Sequence, residues 1–309
     1  MKIVFMGTPN AAVPSLERLI ADGHQVVAVY TQPDRPAGRG NKIVYSPVKL
    51  KAIERSIPVF QPLKIKAADT IEEFRSHGAK VVVVVAYGRI LPETYLNAFE
   101  HGAVNVHFSL LPKYRGAAPV NWAIVNGETE TGVTTMQMDV GLDTGPILLQ
   151  AKTEIGANEG SIELMARLSA IGADLLSETL ACVDELESTE QNDDLASYAP
   201  IMRREDGLID WTRPAKDISD QIRGFQPFPG SFSYLGSGKL TFWRASIRPS
   251  EMAKRPGEVV SARNAQLVIA CGGNTALNVD EIQPEGKRRM PVRDFLNGAK
   301  LKTGDVLGL

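Results

Sequence analysis

Cysteine is scarce in this sequence, and its two copies stand far apart. Among 309 residues only Cys182 and Cys271 occur, and neither belongs to a CxxC motif. Disulfide frameworks and structural zinc sites need several cysteines at defined spacings. The pattern therefore argues against both and predicts a reducing, cytoplasmic compartment. We also expect no metal, because no His, Cys or Asp cluster has the spacing of a ligand set.

Long hydrophobic runs are missing as well. The longest, from Val81 to Tyr87, has seven residues, whereas a membrane-spanning helix needs about 20. The opening MKIVFMGTP leads directly into a predicted strand and lacks the longer apolar stretch of a secretory signal. We expect neither kind of segment. The length of the chain favours two domains over one core.

The glycine-rich motifs of nucleotide sites are also not found. Gly7-Thr8-Pro9 follows the first predicted strand, but it matches neither GxGxxG nor GxxxxGK[ST]. The Arg35–Gly40 stretch contains glycines without the strand before it and the helix after it that a phosphate cradle needs. We infer no dinucleotide and no ATP, and interpret this stretch as part of a basic loop.

The charge is unevenly distributed. The net charge is −2 overall, but residues 1–204 carry −5 and residues 205–309 carry +3. Within the first part, the stretch from Thr31 to Lys66 holds eight basic residues against two acidic ones. A basic loop and a mildly basic second domain would suit a polyanion. An ordinary solvated surface explains the same composition, so charge alone leaves both readings open.

Strand and helix patterns alternate along the first half of the chain. Predicted strands at Lys2–Met6, Gln25–Tyr30, Val81–Ala86 and Ala103–His107 are separated by predicted helices, which indicates a parallel sheet covered on both faces. After Arg204 the chain shows short β-like runs separated by Gly, Pro and Asn. The predicted fold is α/β, with a Rossmann-like, doubly wound N-terminal domain (residues 1–188), a linker (189–204) and a smaller, OB-like β-barrel domain (205–309).

The densest group of chemically useful residues runs from Asn105 to Gly116. Because side chains alternate along a strand, Asn105 and His107 share one face. They stand at the carboxyl end of a parallel strand, where α/β sheets bind their ligands. An amide can donate to a developing oxyanion, and an imidazole can handle a proton, as acyl-type transfer requires. The other histidines, at positions 24, 77 and 101, are interpreted as capping or surface residues.

A carboxylate in a glycine-rich loop completes the candidate site. Asp143 lies between Gly141 and Gly145, so the backbone there can approach a ligand closely. Its carboxylate could orient His107 or act on the proton of the amine. Asp143 could equally be a turn residue, and spacing alone does not exclude Asp139 as the acting carboxylate.

Taken together, these motifs resemble those of the folate-dependent formyltransferase superfamily. The resemblance rests on Asn105-Val106-His107, on Ser109-Leu110-Leu111-Pro112 and on Asp143. It extends over nearly the whole chain through six further stretches, Phe5–Pro9, Thr31–Gly40, Ser46–Lys49, Pro112–Pro119, Glu205–Trp211 and Gln283–Lys287. The longer match is with the branch that formylates methionyl-initiator tRNA. One departure is Phe228, where that branch would lead us to expect Trp.

The resemblance implies a function and roles for particular residues. A formyl group would pass from 10-formyltetrahydrofolate to the α-amine of methionyl-initiator tRNA, with Asn105, His107 and Asp143 catalytic. Ser109, Leu110, Leu111 and Pro112 would line the folate site, and the second domain would help to hold the tRNA. We expect a monomer. The basic residues expected to reach the acceptor end of the tRNA are Arg35, Arg39, Lys42 and Lys49.

Four other readings share some of these features. A formyltransferase acting on a nucleotide-linked amino sugar would use a similar site, although the basic loop and the Gln283–Lys287 stretch count against it. A glycinamide ribonucleotide formyltransferase would lack the second domain. A 10-formyltetrahydrofolate hydrolase would release formate without an acceptor. An RNA-binding protein with a catalytically inactive α/β domain would not need Asn105, His107 and Asp143 together.

Overall fold

The structure is a computed structural model, and it describes residues 1–37, 42–249, 254–263, 265–299 and 301–308. The chain divides into two compact units. The first contains residues 1–119, 130–154 and 165–199, and the second contains residues 120–129, 155–164 and 200–309. The domain limits at residues 188 and 205 stay a prediction.

The first unit is built around a seven-stranded sheet. Its strand order is β10-β9-β7-β6-β1-β2-β5, in which β1, β2, β5, β6 and β7 run parallel and β9 is antiparallel to both β7 and β10. The strands of this unit are β1 (Lys2–Gly7), β2 (Gln25–Tyr30), β3 (Arg35–Ala37), β4 (Lys42–Val44), β5 (Val59–Phe60), β6 (Val81–Val85), β7 (Ala103–His107), β8 (Arg115–Gly116), β9 (Glu130–Gln137), β10 (Ile147–Glu154) and β11 (Tyr198–Ala199).

The sheet is buried on both faces. Val4 and Met6 pack with Phe74 and Tyr95 in one hydrophobic cluster. The alternate residues of β1, which point to the opposite face, are fully buried as well. A strand covered on both sides must be apolar throughout, which explains the five consecutive valines of β6. The helices of the chain up to residue 181 are α1 (Val13–Ala21), α2 (Pro47–Glu54), α3 (Ala68–Ser76), α4 (Glu93–Leu96), α5 (Pro119–Val125) and α6 (Ser161–Ala181).

The second unit contains an antiparallel sheet that its own C-terminal residues close. The order is β12-β13-β16-β15-β14, and β17 pairs with β16. Gly308 exchanges both backbone hydrogen bonds with Tyr234 of β12, and the N–H of Leu307 donates to Gly257, just before β14. The elements are α7 (Ala215–Gly224), β12 (Ser231–Leu235), β13 (Gly238–Pro249), β14 (Val259–Arg263), β15 (Gln266–Cys271), β16 (Thr275–Pro284), β17 (Met290–Pro291) and α8 (Val292–Gly298).

The predicted fold class, an α/β domain followed by a smaller β domain, is confirmed. The region from Gln32 to Ser46, predicted as one loop, instead contains an antiparallel pair, β3 with β4. Sequence reasoning also missed α2, although Ser46 accepts a hydrogen bond from the N–H of Lys49 and Pro47 occupies the first turn, a common helix start.

Neither a membrane-spanning helix nor a metal-binding cluster occurs in the described ranges. No helix there is long and apolar enough to cross a membrane. No group of three or more His, Cys, Asp or Glu side chains in the same ranges is arranged to hold a metal ion.

Candidate active site

Strand β7 places Asn105 and His107 side by side on one face of the sheet. Both side chains are buried, and His107 is the last residue of the strand. Neighbouring strands β6 and β9 hydrogen-bond to β7 on its two sides, so its backbone is fixed. The two side chains therefore keep a constant spacing along a rigid element.

One ring nitrogen of His107 is engaged by the backbone. Its Nε2 atom lies 2.9 Å from the carbonyl oxygen of Tyr114. Because a carbonyl only accepts, Nε2 must carry the hydrogen, and Nδ1 is the nitrogen that can gain or lose a proton. Tyr114 itself has a left-handed backbone, with φ of +60°. That conformation is uncommon outside glycine and often marks functional sites.

The structure brings Asp143, and not Asp139, to this imidazole. Oδ2 of Asp143 lies 3.7 Å from Nδ1 of His107 and accepts a hydrogen bond of 2.8 Å from the N–H of Gly116. Asp139 instead accepts from the N–H of Gly141 and from the hydroxyl of Thr144, within its own turn. Asp143 is therefore the carboxylate with a contact to His107, and its catalytic role stays a prediction.

Asp143 reaches His107 along the β9–β10 connection. That connection begins beside the first residue of β7, where the N–H of Met138 donates to Ala103. It must run back along β7 to put Asp143 near the last residue of that strand. Asp143 has a left-handed backbone, with φ of +55°. Sequence spacing predicted a loop at this point but could not predict its direction.

The segment from Thr189 to Ala199, which we call the strap, is bound to both loops of the site. Thr189 pairs with Ile147, and Tyr198–Ala199 pairs in parallel with Arg115–Gly116. The side chain of Gln191 contacts the Asp143 loop and Arg115 together. These residues lie in the predicted linker, and nothing in their polar composition indicated such contacts.

The four residues expected to line a folate site form a tight turn after β7. Ser109 is completely buried, and its hydroxyl donates to the carbonyl of Lys113. Leu111 is also buried, and its N–H donates to the hydroxyl of Thr134. Leu110 and Pro112 are partly exposed. Only these two present side-chain surface to a ligand.

The four basic residues expected to contact tRNA stand in different situations. Arg35 is exposed on β3, and Lys42 begins β4. Arg39 lies outside the described residues. Lys49 is largely buried, forms an ion pair with Asp34 and donates to Gln61 at 2.8 Å. The hydrogen bond from Lys49 also holds the pKa of Asp34 below its usual value.

Sequence reasoning missed two exposed apolar residues on the Asp143 loop. Val140 is 70% exposed and Leu142 is 55% exposed, although both are large and hydrophobic. Exposed apolar side chains grouped beside buried polar ones suit an apolar or aromatic ligand. The signal in the sequence was an apolar residue alternating with Asp and Gly, which is unusual in a purely solvated turn.

Two family models match the chain and define its class. The model described as formyl transferase matches residues 1–180, and the model described as formyl transferase, C-terminal domain, matches residues 201–300.

Relatives of the same length narrow the class. A methionyl-tRNA formyltransferase of Citrifermentans bemidjiense is 50% identical, over 100% of this chain and 96% of that protein. One of Alkaliphilus oremlandii is 45% identical, over 100% of each chain. The chain belongs to the methionyl-tRNA formyltransferase family. The resemblance found in the sequence is thereby confirmed.

Solved structures agree on the fold. An N-formyltransferase of Helicobacter canadensis, in complex with folinic acid and dTDP-3-aminofucose, has a TM-score of 0.67 at 21% identity, covering 90% of this chain and 98% of that one. HypX of Aquifex aeolicus, in complex with tetrahydrofolic acid, has a TM-score of 0.63 at 16% identity, covering 96% of this chain and 47% of that one. At such identities the likeness concerns the fold alone.

Proposed function

We propose that this protein transfers the formyl group of 10-formyltetrahydrofolate to the α-amine of methionyl-initiator tRNA. The observation that carries the proposal is the end-to-end match to methionyl-tRNA formyltransferases. The buried imidazole of His107 and the partly buried carboxylate of Asp143 supply a proton-handling site consistent with it. The enzyme would act as a monomer in the cytoplasm, where translation begins.

The proposed chemistry assigns one task to each of three side chains. The neutral amine attacks the formyl carbon, a C–N bond forms, and the bond from that carbon to the folate nitrogen later breaks. The amide N–H of Asn105 donates to the oxyanion that develops on the formyl oxygen. His107 takes the proton lost by the amine at Nδ1 and then returns it to the folate nitrogen, which leaves as an N–H.

Asp143 would make this proton transfer favourable. Its carboxylate lies 3.7 Å from Nδ1 of His107, the nitrogen that would accept the proton, and opposite charges at that distance attract each other. Its own position is fixed by the N–H of Gly116. Asp143 then acts as an electrostatic partner of His107 and need not carry the proton itself.

The residues near this trio suit a flat, partly aromatic donor. Leu110 and Pro112 offer apolar surface after β7, and Val140 and Leu142 offer more beside Asp143. Ser109 and Leu111 would act by shaping the turn, because their polar groups bond within the protein. In this proposal the donor lies against apolar side chains while the formyl group points to the polar trio.

Phosphate contacts are proposed for the pair β3–β4. Arg35, Arg39 and Lys42 would bind the tRNA backbone, each displacing counterions. Lys49 would contribute mainly by stabilising the segment that follows β4. It forms an ion pair with Asp34, and its Nζ atom lies 4.0 Å from the ring centre of Tyr45. The second domain would add further, weaker contacts.

The proposed reaction is tested with a donor carrying a labelled formyl group. Incubation with methionyl-initiator tRNA should move the label to the aminoacyl ester, and omission of the tRNA should release no labelled formate. If labelled formate is released without tRNA as fast as the donor is consumed with tRNA, the protein is a hydrolase and the proposed transfer is rejected.

A further inference from the structure

The side chain of Gln191 joins the two loops that carry the active-site pair. Its Nε2 atom donates to the backbone carbonyls of Asp143, at 2.9 Å, and Gly145, at 2.7 Å. Its Oε1 atom accepts from Nε of Arg115 at 3.0 Å and from Nη2 at 2.9 Å. An amide side chain has two donor and two acceptor positions, so all four are used.

Arg115 connects this amide to His107. The residue before it, Tyr114, supplies the carbonyl that holds Nε2 of His107, and the residue after it, Gly116, supplies the N–H that holds Asp143. The Arg115 side chain is buried. A shift of Arg115 would therefore displace the supports of both members of the pair.

The Nε2 atom of Gln191 holds Asp143 by its backbone carbonyl. Asp143 adopts a left-handed conformation, which is uncommon outside glycine and which constraints from the surroundings help to hold. The bond from Gln191 to the Asp143 carbonyl is one of those constraints. Without it, the carbonyl and the buried guanidinium would each lose a partner, and the loop could relax.

We propose that Gln191 is a positioning residue that sets the spacing between His107 and Asp143. The inference rests on the proposed function, in which that pair moves the proton of the attacking amine. Gln191 does not touch the reacting atoms in this account. Its effect on rate comes from holding two loops in register, where misplacement of about 1 Å can cost on the order of 100-fold.

Gln191→Glu separates positioning from general stability. A carboxylate still accepts from Arg115 but cannot donate to the carbonyls of Asp143 and Gly145, and it repels them. Asn192→Asp is the matched control, because it makes the same chemical change one residue along the strap. Asn192 only accepts a hydrogen bond from the N–H of Asp194, and an aspartate keeps that bond.

Gln191→Glu should lower kcat by about 10-fold to 100-fold, with KM for both substrates within twofold of the parent. Asn192→Asp should leave kcat within twofold. In a protein that already carries Asp143→Asn, adding Gln191→Glu should lower kcat by less than about twofold more. Both changes act on the same pair, His107 and Asp143. Two results would overturn the inference: reductions of kcat by Gln191→Glu and Asp143→Asn that multiply fully in the double variant, or a rise in KM with kcat unchanged.

Two further measurements keep the test decisive. If Gln191→Glu does not fold, Gln191→Met, of similar length and uncharged, takes its place with the same expectations. If the parent transfers no formyl group, the proposed function fails, but the imidazole ¹⁵N shifts of His107 still test the inference. Gln191→Glu should move them in the same direction as Asp143→Asn does, and unmoved shifts would contradict it.

Discussion

Nδ1 of His107 lies 3.7 Å from Oδ2 of Asp143, while Nε2 of the same ring is bound by the carbonyl of Tyr114. This arrangement divides the two nitrogens between two tasks. The contact at Nε2 fixes the orientation of the ring, and Nδ1 faces the carboxylate of Asp143. A proton can therefore be gained and lost at one atom without the ring turning.

The Asn105 and His107 side chains should each matter for turnover. Asn105→Ala removes the proposed oxyanion donor, and His107→Ala removes the proton acceptor. We expect kcat to fall on the order of 100-fold to 1,000-fold in each. Steady-state formyl transfer measures this, with Asn97→Ala, an exposed residue after α4, as the control. A kcat within a few-fold of the parent would reject the assignment.

Arg35, Arg39 and Lys42 should affect tRNA binding and not chemistry. Replacing Arg35, Arg39 or Lys42 by Ala should raise KM for tRNA, leave kcat nearly unchanged and make log affinity less dependent on log salt, by about one unit of slope per lost contact. Lys80→Ala removes an exposed positive charge at the start of β6 and serves as the control. An unchanged salt slope in all three variants would refute the role.

Gly116 should not tolerate a side chain. Its φ is +116°, and a Cβ there would lie 2.7 Å from the carbonyl oxygen of Ala199 in the strap. We expect Gly116→Ala to cost about 1–3 kcal/mol in the free energy of unfolding and to lower kcat through Asp143. Gly304→Ala, at φ of +90° with no atom within 4 Å of the added Cβ, is the control for the backbone effect. Equal losses of stability in the two would show that the strap makes no close contact.

His77 should make stability depend on pH. It follows α3, where the sequence indicated a capping or surface residue, but its ring packs among Tyr30, Phe60 and Phe74. Its Nε2 shares a hydrogen bond of 2.9 Å with the hydroxyl of Tyr30. Burial lowers the pKa of His77 below its ordinary value. The unfolded chain then binds the proton more readily, so stability should fall as pH drops below about 6.5.

His77→Gln tests this pH dependence directly. Glutamine can still hydrogen-bond to Tyr30 in either direction but cannot be protonated. The free energy of unfolding should therefore fall less between pH 7 and pH 5 in the variant than in the parent. Above pH 7.5 the parent and the variant should run parallel. Identical slopes below pH 6.5 would contradict the assignment. Denaturant unfolding at each pH supplies the free energies.

Most of the sheet could be predicted from local pattern. The apolar run of β6 and the strand ending at His107 are fixed by burial on both faces, and the structure places β7 at the predicted residues 103–107. Asn105 and His107 could be paired in the same way, since alternation along a strand is a local property. Their catalytic roles stay a prediction.

Contacts between distant residues could not be predicted in this way. Gln191 contacts Asp143, 48 positions away in the sequence. Hydrophobic periodicity predicts local structure and gives no information on contacts at that separation. The course of the Asp143 loop back along β7 is likewise set by tertiary hydrogen bonds. The polar groups of the strap form hydrogen bonds within the protein. Its composition is nevertheless the same as that of a linker whose polar groups bind water, so composition could not distinguish the two.

The most direct test of the central claim is acceptor selectivity. Labelled 10-formyltetrahydrofolate is offered with methionyl-initiator tRNA and a UDP-linked amino sugar in the same reaction, with the parent enzyme and with His107→Ala. We expect the parent to label the tRNA alone and the variant to label neither acceptor at a comparable rate. Label on the sugar in place of the tRNA would contradict the proposed acceptor.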